Sequence, residues 1–323
     1  MGLRSGFVCI LGRPNAGKST LLNALVGEKV AIVTHKPQTT RNRILGIVNV
    51  EAKKAQGIKG QAKQQASPAG QIVFIDTPGI HKPDTSLNRK MMQEVRAGLE
   101  GCDLFLLLVD VTEKFGTGDQ FALEMIKKAG VDTFLLLNKI DRLEKSKLLP
   151  IIASYSGLHN FREVIPISAL KKEGLDVLLE KVVNALPEGP RYFPKDQITD
   201  QPERFLVAEL IREKILQLTG EEVPYASTVV IEQFEEKPNV TRIAATIFCE
   251  REGQKGIMIG KGGLMLKKIG SAARFEIEKR LGTKVFLELF VKVRSGWRDS
   301  REFVEGLDWR RQLEDLTTKE REP

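Results

Sequence analysis

From Phe7 to about residue 186, short apolar runs alternate with amphipathic stretches. The runs FVCILG (7–12), IVFIDTPG (72–79), DLFLLLVD (103–110), TFLLLNK (133–139) and VIPISA (164–169) are rich in Val, Ile, Leu and Phe and nearly continuous in apolar character. Continuous rather than alternating apolar character predicts strands buried on both faces, and the helical periodicity between most of them predicts crossover helices. Together they predict an α/β domain with a largely parallel, doubly wound sheet over residues 1–186.

The pattern then changes. Residues 187–202 (PEGPRYFPKDQITDQP) carry four prolines and little periodicity, which predicts a linker. Beyond it, a helix is expected over 205–218, strands over 227–234 and 241–249, a glycine-rich helical stretch, and a strand over 285–293. This is a smaller α+β domain, placed at 203–300, with a charged helix or tail over 301–323. One segment of the first domain also breaks its pattern. Residues 51–71 (EAKKAQGIKGQAKQQASPAGQ) are polar and nearly free of large apolar side chains, and are expected to be a mobile insertion between two strands. Its four lysines could touch RNA, but a solvated loop is the better reading.

Composition narrows the classes. The 323 residues suit two domains, and a formal net charge of +8 favours an acidic partner, nucleic acid or an anionic membrane surface, without choosing between them. No apolar run approaches the roughly 18 residues that span a bilayer. The start, MGLRSGFVCILG, runs straight into a predicted strand, so a cytoplasmic protein is expected. Cys9, Cys102 and Cys249 lie far apart without metal-ligand spacing, which fits buried thiols in a reducing compartment.

The chemistry sits at the ends of the predicted strands. Gly12-Arg13-Pro14-Asn15-Ala16-Gly17-Lys18-Ser19, then Thr20, fits GxxxxGK[ST] after a strand and before a helix, the context a P-loop requires. Backbone N–H groups and a helix N-terminus would cradle phosphates there, with Lys18 on the β/γ-phosphates and the Ser19 hydroxyl on Mg²⁺. The spacing is not the GxGxxG of dinucleotide-binding folds. Asp76-Thr77-Pro78-Gly79, followed by Ile80, puts a carboxylate in position for Mg²⁺ and a backbone N–H near the γ-phosphate. Asn138-Lys139-Ile140-Asp141 offers the Asp141 carboxylate to guanine N1–H and the 2-amino group, a donor pair that adenine lacks. Ser168-Ala169 would complete the base site. Between the first two motifs, in KPQTTR, Thr40 is the first choice to cap Mg²⁺ when a γ-phosphate is present, with Thr39 second. Lys18, Thr40, Asp76 and Gly79 are thus the expected catalytic set for hydrolysing GTP to GDP.

In the second domain, Gly260-Lys261-Gly262-Gly263 resembles the GxxG loop of KH domains, which presents backbone amides to several nucleotides. The inferred order helix, strand, strand, helix, helix, strand matches the type II KH arrangement. Between Arg251 and Ser300 twelve Lys or Arg stand against five Asp or Glu, a net of +7. Lys261, Lys267, Lys268 and Arg274 are the candidate RNA contacts with the three glycines. Leu264, Leu266, Ile269 and Ala273 are expected to face the core, and Trp297 is a packed aromatic in preference to a base-stacking one.

GRPNAGKSTLLNALVG, the PQTTR segment, DTPGIHKP, NKID and the later VKVRSGWRDS together resemble the Era family of bacterial ribosome-assembly GTPases from about Gly6 to about Asp299. The departures are residues 51–71 and the last twenty or so. The resemblance implies a monomeric GTPase that binds the 3′ end of small-subunit ribosomal RNA and assists assembly of the small ribosomal subunit. Peripheral attachment to the inner face of the membrane is left open. One P-loop and one NKxD argue against tandem G domains, whereas a non-hydrolysing nucleotide sensor stays open. Some related GTPases bind K⁺ through an asparagine at the place of Asn15. Ile80 cannot orient a water as the glutamine of Ras-like enzymes does, and His81 is a weak substitute.

Overall fold

The computed structural model describes residues 2–52, 68–79, 84–220 and 222–311. Their packing forms two units, one of 2–31, 40–79 and 91–200, the other of 32–39, 84–90 and 201–311. Most of the insertion, Ile80, His81 and the last twelve residues lie outside the described residues.

The first unit is built on β1 (Arg4–Leu11), α1 (Lys18–Val26), β2 (Ile44–Val50), β3 (Gly70–Asp76), α2 (Ser86–Leu99, whose first turns belong to the second unit), β4 (Leu104–Asp110), α3 (Thr117–Ala129), β5 (Thr133–Asn138), α4 (Leu148–Ser156), β6 (Glu163–Ile167) and α5 (Leu175–Ala185). The six strands form one sheet in the order β2-β3-β1-β4-β5-β6, with β2 antiparallel and every other pair parallel. Every residue of β3, β4 and β5 is buried, because apolar side chains fill a core on each face of the sheet. The four parallel strands that carry motifs, β1, β3, β5 and β6, end at the same edge, where doubly wound sheets bind ligands.

One expectation for this unit needs correction and one gains detail. The polar stretch ends in strand, not loop: Gly70 and Gln71 open β3, opposite Val50 and Asn49 of β2. Gln71 is fully buried because its amide serves a neighbouring chain segment. Its Oε1 accepts from the N–H groups of Tyr192 and Phe193 at 2.8 and 2.9 Å, and its Nε2 donates to Phe193 O. The stretch expected as a linker over 187–202 is fixed to the first unit over 187–200. It lies along the sheet edge, with Ile47 N donating to Ile198 O at 2.9 Å and Thr199 Oγ1 to Leu45 O at 2.8 Å.

The second unit follows the expected order: α6 (Glu203–Leu218), β7 (Thr228–Lys237), β8 (Val240–Cys249), α7 (Glu252–Ile259), α8 (Leu264–Leu281), β9 (Lys284–Val293) and a short α9 (Arg301–Gly306). β7 pairs antiparallel with β8, and β8 parallel with β9. α6 and α8 pack one face of this sheet through Val207, Ile211, Ile215, Ile269, Ala273 and Ile277. Trp297 is buried, and its Nε1 donates to Ala226 O at 2.9 Å, the packed aromatic that was expected. Leu266 packs partly against the core, but Leu264 does not: it is 67% exposed, because it opens α8 on the side away from Ile269.

Segment 32–39 is held in this unit by buried charge on α6. Arg212 is bound by Glu209 at 2.6 and 2.7 Å and donates to the carbonyls of Gln38 and Thr39. Glu213 accepts from Val33 N at 3.0 Å. A guanidinium can be buried here because a carboxylate and backbone oxygens take its donors.

Candidate active site and nucleic-acid interface

The loop between β1 and α1 wraps the Lys18 ammonium, which donates to Gly12 O at 2.9 Å and Arg13 O at 3.1 Å. Burial lowers the Lys18 pKa, opposed by the nearby Asp76 carboxylate. Arg13 is tied by Nη1 to Asp119 Oδ2 at 3.4 Å and to Lys114 O at 3.3 Å. Asp119 also accepts from Gly116 N and so holds the first turn of α3. Asp119, buried here, was not among the residues expected from the sequence.

Asp76 ends β3 fully buried. Its Oδ2 accepts from Ser19 Oγ at 2.6 Å, and Ser19 Oγ lies 2.9 Å from Thr40 Oγ1. Of the two switch threonines, only Thr40 comes to this point. Thr39 turns back within its own loop, donating to Lys36 O at 2.6 Å and sitting 2.7 Å from Thr34 Oγ1. Asp76 Oδ1 is buried without a hydrogen-bond partner. Burial pushes the Asp76 carboxyl up to about 6, with Lys18 and the two hydroxyls pulling it down. An orphaned carboxylate oxygen beside two hydroxyls is an all-oxygen donor set suited to a hard divalent cation such as Mg²⁺. Thr77 is turned away from the loop, donating to Ile10 O at 2.9 Å. Pro78 and Gly79 follow it toward Pro14 of the P-loop, from which a side-chain carbon at 79 would stand 3.0 Å.

Asn138, at the end of β5, joins two loops. Its Nδ2 donates to Ala16 O at 2.8 Å, and its Oδ1 accepts from Ala169 N at 3.0 Å. Gly17 makes room for this strap: its φ is +101°, and a Cβ there would lie 2.5 Å from Asn138 Nδ2. Lys139 is left-handed at φ 70° and pairs with Asp110 at 2.5 Å. Asp110, the last residue of β4, was missed in the sequence, although a carboxylate ending a buried strand was the available signal. Asp141, after Ile140, accepts from Ser168 Oγ at 2.6 Å, so the two loops meet beside an exposed carboxylate. Asn15 is exposed at φ 63°, and Thr20 continues α1.

In the other unit, α7 ends at Gly260, whose φ of +71° and close approach to Met265, 2.7 Å from where a Cβ would sit, call for glycine. Gly262 and Gly263 also have positive φ, and Lys261 and Gly262 are exposed. Lys267, Lys268 and Arg274 are exposed along α8. No group of His, Cys, Asp or Glu among the described residues has metal-site geometry, and all three cysteines are buried thiols. No helix among them is long and apolar enough to cross a membrane.

Comparison with known proteins follows the same division. A family model described as a 50S ribosome-binding GTPase matches residues 7–139, and one described as a KH domain matches 222–298. Over 296 residues the chain is similar to GTPase Era of Syntrophus aciditrophicus, 51% identical with 91% of each chain covered. It is 50% identical to GTPase Era of Geobacter metallireducens, covering 95% of this chain and 98% of that one. Among solved structures it is similar to Aquifex aeolicus Era bound to GDP·AlF4⁻ and to an Era complex with MgGDPNP and nucleotides 1506–1542 of 16S ribosomal RNA. Each is 40% identical with a TM-score of 0.86, covering 95% of this chain and 99% of the other.

Proposed function

Because the chain belongs to the GTPase Era family, we propose that it is a GTP-driven switch whose KH domain holds the 3′ end of small-subunit ribosomal RNA during assembly of the small subunit. The observation that carries the enzymatic half is the meeting of Ser19, Thr40 and the orphaned Asp76 oxygen beside Lys18. The RNA half rests on the exposed GxxG loop and on the relative solved with a 16S fragment.

Hydrolysis attaches a water oxygen to the γ-phosphorus as its bond to the β–γ bridging oxygen breaks, leaving GDP and phosphate. Ser19, Thr40 and Asp76 would hold Mg²⁺, which when bound offsets negative charge on the β- and γ-phosphates. Lys18 supplies a fixed positive charge on the P-loop, and the backbone N–H groups of 15–19 offer donors to phosphate oxygens. Asp141 reads guanine, while Asn138 sets the distance between the P-loop and the Ser168-Ala169 loop. Thr40 couples the γ-phosphate to segment 32–39, which hydrolysis would release. K⁺ near Asn15 is the proposed replacement for an arginine finger. The formal net charge of +8 supports a polyanionic partner, and the reading places the protein in the cytoplasm as a monomer with any membrane contact peripheral.

The test is GTP turnover and RNA affinity measured together. Lys261→Asp with Gly262→Asp should leave GTP binding and basal turnover intact and remove most affinity for a 16S 3′-end RNA. Undiminished RNA binding would refute the loop assignment, and absent turnover in the unaltered protein would leave a nucleotide-sensing scaffold.

A further inference from the structure

α8 carries an exposed face that the core does not use and that runs on from the GxxG loop well past Lys268. Leu264, Lys268, Ser271, Phe275 and Lys279 recur at intervals of three and four, so they lie on one side of the helix. All five are exposed, with Leu264 at 67% and Phe275 at 71%, opposite the buried Ile269, Ala273 and Ile277. Both acids of the helix are engaged elsewhere: Glu276 pairs with Lys214, and Glu278 accepts from Val285 N at 3.0 Å. Lys267, Lys268, Arg274 and Lys279 take part in no salt bridge among the described residues. The face is thus cationic and tipped by a lone aromatic ring.

We propose that this face is a second RNA contact, continuous with the GxxG loop, on which Phe275 stacks an unpaired base while Lys268 and Lys279 meet flanking phosphates. It rests on the reading that the KH domain binds RNA. The stripe starts one residue after Gly263 and runs about 22 Å at 1.5 Å per residue, well beyond the roughly four nucleotides a GxxG loop clamps. Lys268 and Lys279 on the stripe, with Lys267 and Arg274 beside it, meet no acid in a salt bridge among the described residues, which fits a polyanion. A lipid surface would meet a broad apolar face, whereas here two large apolar side chains stand about 16 Å apart with lysine between them.

The experiment uses the full chain and two RNAs from the 16S 3′ end, of about four and about twelve nucleotides, the shorter matched to the loop. Phe275→Ala should weaken the longer RNA about tenfold or more, as loss of one stacked base does, and leave the shorter unchanged. Lys268→Glu with Lys279→Glu should lower the salt slope for the longer RNA by about one to two. Phe275 is exposed, so thermal unfolding should be unaltered. Equal loss on both RNAs would place its effect in the loop, and no loss on either would reject the contact. So would variants that lower co-sedimentation with phosphatidylserine vesicles but keep RNA affinity. If the unaltered protein binds neither RNA, the KH reading itself fails.

Discussion

Replacing Asn138 with alanine separates two roles that the NKxD motif merges. The side chain gives Nδ2 to Ala16 O and takes Ala169 N on Oδ1, both buried. Alanine removes both bonds and leaves one buried acceptor and one buried donor short of a partner. An unsatisfied buried group costs about 1–3 kcal/mol, so the pair should cost about 3 kcal/mol, allowing for partial relaxation. In a domain of this size that lowers the midpoint by about 6–12 °C.

Nucleotide binding should weaken as well, because the P-loop and the Ser168-Ala169 loop lose their common tie. The loss should be similar for GTP and xanthosine triphosphate, since a strap does not read the base. The assay is thermal unfolding of the nucleotide-free chain beside calorimetric titration with the two nucleotides. A variant whose midpoint stays within about 2 °C while it loses GTP selectively would show that Asn138 contacts guanine directly and that the strap is incidental.

Two further outcomes follow from the same site. Asp141→Asn should lose GTP affinity and gain affinity for xanthosine triphosphate, whose 2-oxo group accepts where guanine donates. Unchanged preference in the titrations would remove Asp141 from the base site. Turnover should be faster in KCl than in NaCl at equal ionic strength, and Asn15→Ala should abolish the difference, since a cation there would offset charge that develops in the transition state. Equal rates in both salts would reject the potassium route and leave RNA as the candidate activator.

What the sequence disclosed and what it hid divide along a physical line. The runs at 72–79, 103–110 and 133–139 read as strands because burial on both faces leaves a continuous apolar stretch in each, with the polar residues at its ends. The P-loop and NKxD were readable because phosphate and guanine impose residue types at fixed spacing. Misreadings fell where polar side chains are buried to satisfy backbone from distant sequence. Gln71 looked like the tail of a polar loop, yet it serves Tyr192 and Phe193 more than a hundred residues away. The linker expected over 187–202 gave no sign of its pairing with the edge of β2, because proline and lysine mask that pairing.

Arg212-Glu213-Lys214 is the sharpest case. Nothing in three successive ionisable residues on an expected helix announces burial, yet all three are buried. No periodicity in α6 reveals this, because the partners come from three other places in the chain: Glu209 one turn earlier, segment 33–39, and Glu276 on α8. A buried charge persists only where such partners already stand, so its burial is a property of the assembled fold and not of the helix. The same holds at Asp76. Its place at the end of a strand was visible, but the unpartnered oxygen that fits it for a cation exists only once Ser19 and Thr40 have been brought to its other side.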